Sequence, residues 1–127
     1  MPKKPSRKTL VKKLDKIFSL YIRARDKYCV VCGSPDQANN GHLFSRRHYA
    51  TRWCELNCNQ QCYPCNFKHN NDFVPYTQWF IKKHSKESFD ELYTKFKQPF
   101  KILNFEIEDL IETYKIKLKE LQDADEG

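Results

Sequence analysis

Several features that this 127-residue sequence lacks narrow the classes of protein to which it can belong. No apolar run approaches the roughly 20 residues that a membrane-spanning helix needs. The first residues, MPKKPSRK, are too polar for a secretory signal peptide. There is no low-complexity tract and no internal repeat, and glycine occurs only three times. We therefore expect one cytoplasmic domain with no membrane partner.

Acidic residues are scarce in the first two thirds of the chain. Residues 1–86 contain 17 Lys and Arg but only 5 Asp and Glu, a net charge of +12. Residues 87–127 contain 6 Lys and Arg and 11 Asp and Glu, a net charge of −5, which brings the net charge of the whole chain to +7. The basic part indicates either a polyanionic partner such as DNA or simply a well-solvated surface. The acidic segment is typical of a protein contact or a solvated element.

The pattern of apolar residues predicts helices at both ends and irregular structure between them. Residues 1–8 are interpreted as a flexible basic arm. An amphipathic helix is predicted from Thr9 to about Asp26, because apolar residues recur there at helical spacing. Residues 28–66 have no helical period, and we expect cysteine knuckles, a β-hairpin and a long loop there.

Capping signals predict three further helices. Asp72 can cap a helix that carries Tyr76 and Phe80, and Ser88 with Glu91 forms a capping box for the next helix, which Pro99 ends. A last helix is predicted over about 104–122. We assign residues 9–99 to a zinc-containing domain and residues 100–127 to a C-terminal helix. The apolar seam of that helix either packs within the chain or pairs with a second copy in a homodimer, and it consists of Ile107, Ile111, Tyr114, Leu118 and Leu121.

Two Cys-x-x-Cys motifs, Cys29–Cys32 and Cys62–Cys65, are separated by 29 residues. Each motif turns the chain so that both of its sulfurs face one centre, and four thiolates form a tetrahedral structural site for Zn²⁺. Cys54 and Cys58 remain. They are interpreted as buried apolar residues, with a second metal centre that includes His48 as the alternative.

The motifs between and after the knuckles resemble a known family. Gly41-His42 is followed by Ser-Arg-Arg-His, and an Asn lies five residues before the second knuckle, which Asn66 follows directly. This order resembles the phage recombination protein NinG (Rap) family and the HNH or His-Me finger nucleases, with endonuclease VII among them. The likeness covers roughly residues 16–72. It implies an α+β fold in which a zinc-stapled ββα (His-Me finger) core has a leading helix and a helical C-terminal region.

The resemblance also implies catalytic roles for residues of the loop. His42 would be the general base that activates water, Asn57 would hold the loop, and Asn66 would bind a catalytic Mg²⁺ or Mn²⁺ ion. Many HNH relatives carry Asp at the position of Gly41, whereas NinG-like sequences tend to have Gly there and an Asp further upstream, where this chain has Asn39 and Asn40. The second ligand of that ion therefore stays unassigned, with Asn39, Asn40, His48 and His69 as candidates. The candidates for DNA contact are Arg46, Arg47, Arg52 and Lys68.

The predicted function is that of a divalent-metal-dependent DNA endonuclease in the bacterial host cell. The resemblance implies branched recombination intermediates, such as Holliday junctions or D-loops, as its substrates. The alternative is a non-catalytic zinc-containing DNA-binding protein that assists recombination. A protein-interaction adaptor that uses the C-terminal helix is a third hypothesis.

Overall fold

The computed structural model describes residues 4–126, so residues 1–3 of the predicted arm lie outside the described part of the chain. The elements follow in the order α1 (Arg7–Asp26), β1 (Ala38–His42), α2 (Tyr49–Arg52), β2 (Cys58–Cys62), α3 (Tyr63–His69), α4 (Val74–Lys83), α5 (Lys86–Lys97) and α6 (Asn104–Glu126). A mostly helical chain with one two-stranded sheet confirms the α+β class. Within residues 4–126, no helix is both long and apolar enough to cross a membrane.

Helix α1 begins at Arg7, two residues before the predicted start. Ser6 caps it, because its hydroxyl accepts the backbone N–H of Thr9 at 3.2 Å. The last two residues of the predicted basic arm, Arg7 and Lys8, are therefore helical. The buried side of α1 consists of residues at four-residue spacing: Leu10, Leu14, Phe18 and Ile22.

Helix α6 packs along α1 and contributes to the same apolar core. Ile107, Ile111 and Tyr114 are buried there, and the rings of Phe18 and Tyr114 meet edge to face with centroids 4.8 Å apart. These three residues of the predicted seam thus pack within the chain. The helix continues to Glu126, beyond the predicted end near Gln122, because no proline or glycine interrupts residues 104–126.

The caps of α4 and α5 agree only in part with the sequence patterns. The Asp72 carboxylate accepts the backbone N–H of Val74 at 3.1 Å, at the start of α4. For α5 the predicted capping box is wrong by three residues. Ser85 is the cap and accepts the N–H of Ser88 at 3.0 Å, so Ser88 lies inside the first turn. The helix ends at Lys97, before Pro99.

The hairpin strands lie between α1 and the pair α3 and α4. Strands β1 and β2 are antiparallel, with Ala38 opposite Cys62 and His42 opposite Cys58. The end of α1 holds β2, because the Asp26 carboxylate accepts the N–H of Gln60 at 2.8 Å. The end of β1 and α3 both contribute residues to the wall of one depression.

Candidate functional site

The four knuckle cysteines converge on one point. Their sulfur atoms all lie within 4.8 Å of one another, and those of Cys32 and Cys62 are 3.6 Å apart. Zinc–sulfur bonds of roughly 2.3 Å place the sulfurs of a tetrahedral site roughly 3.8 Å apart. The cysteines are therefore positioned to bind a metal ion, and four soft thiolates are compatible with structural zinc.

Local backbone geometry explains why the sulfurs converge. In the first knuckle the N–H of Gly33 donates to the Cys29 carbonyl at 2.8 Å. Gly33 has a φ of 82°, which a residue without Cβ adopts at little cost. In the second knuckle Cys62 ends β2 and caps α3, and Pro64 fits the first turn because that turn needs few backbone donors. A strand end and a helix start thus present Cys62 and Cys65 to the same centre.

Hydrogen bonding favours the thiolate form at one of these cysteines. Burial tends to raise the pKa of Cys29, but backbone N–H groups around the sulfur, including that of Cys32, outweigh this effect and lower the pKa to about 7. Burial and neighbouring thiols raise the pKa of Cys65. A divalent ion would favour the thiolate form of all four sulfurs, since metal binding releases their protons.

The remaining two cysteines do not form a second metal centre. Within residues 4–126, the four knuckle cysteines are the only group of three or more Cys, His, Asp or Glu close enough to share an ion. Cys58 is fully buried in the α1–α6 core, and burial raises the pKa of its thiol well above the ordinary value. The alternative centre with Cys54, Cys58 and His48 is therefore wrong.

A cavity of about 650 Å³ lies between α1, β1 and α3, and its wall includes Tyr63 and Asn66, which directly follow Cys62 and Cys65 in the sequence. Most of the residues expected at a catalytic site line its wall: His42, Asn66, Arg46, Arg52, Asn39, Asn40 and His69. His42 comes from the end of β1 and Asn66 from α3, one residue after Cys65. Cys65 belongs to the cysteine cluster and directly precedes Asn66, so an ion held by the four sulfurs would fix the part of α3 that carries Asn66.

The orientation of His42 is fixed by the backbone. Its Nε2 lies 2.9 Å from the Arg52 carbonyl oxygen, so Nε2 carries the proton and donates it, and Nδ1 is left as an acceptor. Burial lowers the pKa of His42 below its ordinary value, which outweighs the opposing effect of the Arg52 carbonyl, and the charge of Arg46 lowers it further. The imidazole is therefore neutral at pH 7 and able to accept a proton.

Asn57 holds the loop that follows β1. It is fully buried, and its Oδ1 accepts the N–H of Phe44 at 2.8 Å. Its Nδ2 donates to the carbonyls of Phe44 and Thr51 at 3.0 and 3.1 Å. All the bonds of this amide go to the backbone, as expected for a residue that holds the chain and does not contact a substrate.

A carboxylate that the sequence patterns did not indicate also lines the cavity. Asp15 of α1 accepts from Nε of Arg52 at 3.0 Å and from the Trp53 indole at 2.9 Å, and it forms an ion pair with the Arg52 Nη2. Only the packing of α1 against the hairpin brings these residues together. In the sequence, the one signal is that an acidic residue interrupts a basic helix face.

Gly41 leaves no room for a side chain at this position. A Cβ atom added to Gly41 would lie 2.1 Å from Oε1 of Gln61, well inside contact distance. Gln61 is itself almost fully buried, with 1% of its surface exposed. The side chain of Gln61 on β2 therefore occupies the space that an aspartate at position 41 would need.

Other predicted site residues lie elsewhere. Arg47 and Lys68 are exposed and are not part of the cavity wall, and the His48 ring packs on Phe96, with centroids 4.2 Å apart. His69 donates through Nε2 to the Leu43 carbonyl at 2.9 Å, and its Nδ1 is buried without a partner among the described residues. His48 is thus removed from the candidates for the second ligand, because it does not reach the cavity.

Comparison with known proteins gives one match. The family model for the bacteriophage lambda NinG protein matches residues 2–125, nearly the whole chain. No curated protein and no solved structure matches the chain.

Proposed function

The chain belongs to the bacteriophage lambda NinG family of phage recombination proteins, and we propose that it is a divalent-metal-dependent DNA endonuclease that cuts branched recombination intermediates. One observation carries this proposal: His42, Asn66 and Arg46 line the same cavity next to four cysteines positioned for zinc. In a His-Me finger nuclease, a hairpin followed by a helix presents these residue types to a single phosphate. The order β1, β2, α3 supplies these elements here.

His42 is the proposed general base. The Arg52 carbonyl accepts the Nε2 proton, so Nδ1 is the nitrogen left to accept the proton of an attacking water. Because burial keeps the imidazole neutral at pH 7, it accepts this proton without first losing one of its own. The water then attacks phosphorus in line with the departing oxygen, and the 5′-phosphate and 3′-hydroxyl are the products.

Asn66 is the proposed ligand of the catalytic ion, through its amide oxygen. Mg²⁺ and Mn²⁺ prefer oxygen ligands and retain several waters, so a site with few protein ligands suits them. When bound, such an ion supplies positive charge to the departing oxygen. Asp15 is the carboxylate on the cavity wall, and its Oδ2 accepts a single hydrogen bond, from Arg52, which leaves it capacity for a further contact.

The cationic residues have different proposed roles. Arg46 lines the cavity and is exposed, so its guanidinium can reach a phosphate there. Arg47 and Lys68 lie outside the cavity and suit contacts with the flanking backbone. Arg52 is paired with Asp15 and only 12% of its side chain is exposed, which makes it a positioning residue for His42.

Symmetric cleavage of two strands suits a homodimer, which we retain as a proposal. Three seam residues of α6 already pack on α1, so a second copy has to use the exposed side of that helix, where Ile116 is 59% exposed.

A nicking assay tests the proposal. Labelled four-way junction DNA is incubated with the full chain and Mg²⁺ or Mn²⁺, and wild type is compared with His42→Ala and, as a matched control, His48→Ala. We expect cleavage by wild type and His48→Ala. His42→Ala should slow cleavage by about 100- to 10,000-fold, the range that a general base contributes, but retain junction binding.

Two results would contradict the proposal. If the wild type fails to cleave with either ion but binds junction DNA, the chain is a non-catalytic DNA-binding recombination protein. That outcome would agree with the lack of room for a metal-binding side chain at Gly41. If His42→Ala cleaves like wild type, the activity does not reside in this cavity.

A further inference from the structure

Two aromatic rings lie exposed at the mouth of the cavity. Tyr63 and Phe67, one helical turn apart on α3, each have 58% of their surface exposed and both line the cavity. Their rings stack on each other at a centroid distance of 6.1 Å and an angle of 25°. They flank Asn66, so whatever covers them lies next to the proposed catalytic ion.

The fold itself does not use these rings. Neither residue belongs to the two clusters of buried apolar side chains. Cys62 is the N-cap of α3 and Pro64 lies in its first turn, so neither ring supplies the signals that start the helix. Exposed aromatic surface beside a cavity is typical of a binding site.

The charge around the rings matches a nucleic-acid strand. Lys68 is exposed next to Phe67, and Arg46 is exposed on the cavity wall. Asp15 is the acidic residue of that wall, and its ion pair with Arg52 offsets its charge. A phosphate backbone is therefore attracted to the surface on which the flat rings lie.

We propose that Tyr63 and Phe67 form a stacking platform for one unpaired nucleobase, so that the protein selects DNA with unpaired nucleotides beside the phosphate to be cut. This inference rests on the proposed endonuclease function and specifies its substrate. Inside a duplex both faces of each base are covered by neighbouring bases, so only a base at a gap, flap or open junction can stack on the two rings.

The test measures binding without cleavage, in EDTA-free buffer with Ca²⁺ as the divalent ion. Four DNAs are compared: a duplex, the same duplex with a one-nucleotide gap, a single strand and a four-way junction. The unpaired base opposite the gap is 2-aminopurine, whose fluorescence falls when it stacks. The variants are Tyr63→Ala, Phe67→Ala and the double substitution. The control is Phe105→Ala, which removes a ring that is 60% exposed at the start of α6.

We expect wild type to bind gapped DNA more tightly than duplex and to quench the fluorescent base. Each ring removal should weaken binding to gapped DNA by about 5- to 100-fold, because stacking on an aromatic side chain contributes that much per base. Binding to the duplex should change less than twofold. Tyr63→Phe should bind like wild type, which separates loss of the ring from loss of the hydroxyl.

Several results would overturn the inference. These are equal binding of duplex and gapped DNA, unchanged fluorescence, or the same loss of affinity in Phe105→Ala. If the substitutions weaken binding to the duplex as much as binding to gapped DNA, the rings make general DNA contacts and do not select an unpaired base. If the double variant has a lower mass by sedimentation but unchanged DNA binding, the rings form a dimer contact. If the wild type cleaves nothing but shows the expected stacking, the inference stands and the endonuclease proposal fails. If it binds none of the DNAs, both fail.

Discussion

Asp15 connects the acidic side of the cavity to the orientation of the proposed base. It fixes the guanidinium of Arg52, and the carbonyl of the same residue holds His42. Burial is the main reason that the pKa of His42 is low, and the negative charge of Asp15 opposes this shift because it favours the imidazolium. The carboxylate therefore affects both the position and the proton affinity of His42.

We predict that Asp15→Asn slows cleavage about 10- to 100-fold, the usual effect of losing a partner that orients a functional group. Without the negative charge the pKa of His42 falls further. Cleavage requires neutral His42 and declines as pH drops through this pKa, so the acidic limb of the pH–rate profile should move to lower pH. The measurement is initial cleavage rate against pH. Asp36→Asn, the same change at an exposed site, is the control. A slower rate with an unmoved profile would assign Asp15 a structural role alone.

Gly41 lies directly before the proposed general base, and the structure leaves no room for a side chain there. A Cβ here meets Oε1, Cδ and Cγ of Gln61 at 2.1, 2.7 and 2.8 Å, and the buried glutamine has little space to move. We predict that Gly41→Ala lowers the free energy of unfolding by about 1–3 kcal/mol, as overpacking does. Urea denaturation measures this change in the free energy of unfolding. Adding Gln61→Ala should recover part of the loss, and a Gly41→Ala protein as stable as wild type would show that the hairpin accommodates a side chain.

At the scale of elements, sequence patterns predict what depends on neighbours along the chain. The spacing of Leu10, Leu14 and Phe18 predicts α1, and the two Cys-x-x-Cys motifs predict the knuckles, because both are local features. The predicted start of α5 was wrong by three residues. Ser85 and Ser88 are both acceptable N-cap residues, and the folded structure around them decides which of the two caps the helix.

The walls of the cavity show where such prediction stops. His42, Asn66 and Arg46 could be named from motifs, and the structure places them on one cavity. Asp15 could not, because it reaches the site only through the packing of α1 on the hairpin. Tyr63 is conspicuous as a residue type, but its exposure is a property of the folded surface.

The contact between α1 and α6 gives a prediction at this scale. Ile107 is fully buried in that contact, whereas Ile116 on the same helix is 59% exposed. We predict that Ile107→Ala lowers the free energy of unfolding by about 2–5 kcal/mol, the cost of a cavity in a packed core. Ile116→Ala should change it by less than about 0.5 kcal/mol, as surface substitutions usually do. Urea denaturation monitored by circular dichroism measures both. A large effect of Ile116→Ala that depends on protein concentration would instead indicate a dimer interface.

At the scale of the whole molecule, two apolar clusters lie on either side of a hairpin whose own interior is polar. One cluster joins α1 and α6, and the other joins Leu43 and Phe44 to α4 and α5. Between them β2 buries three polar side chains, Asn59, Gln60 and Gln61. Burial of such residues adds little to stability, so the hairpin needs another source of free energy. Two of the four cysteines precede β1, one ends β2 and one lies in α3, so an ion bound by all four would tie these parts together and supply that free energy.

Zinc removal is therefore expected to affect the hairpin and the cavity before the helical core. Binding of structural zinc contributes on the order of 10 kcal/mol to the folding of small domains. An ion bound by Cys29, Cys32, Cys62 and Cys65 would hold the end of β2 to α3, whereas the contact between α1 and α6 contains none of these cysteines. We predict that a strong chelator, or Cys65→Ser, releases one zinc per chain, abolishes junction binding and cleavage together, and leaves much of the helical circular dichroism signal. The measurements are the zinc content by atomic absorption and the circular dichroism spectrum of the same sample.

The control is Cys54→Ser. Cys54 lies outside the cluster of four cysteines, so this variant should keep its zinc. Full DNA binding by metal-free protein would mean that the helices alone shape the surface, and the sulfur cluster would then have no part in positioning His42 and Asn66.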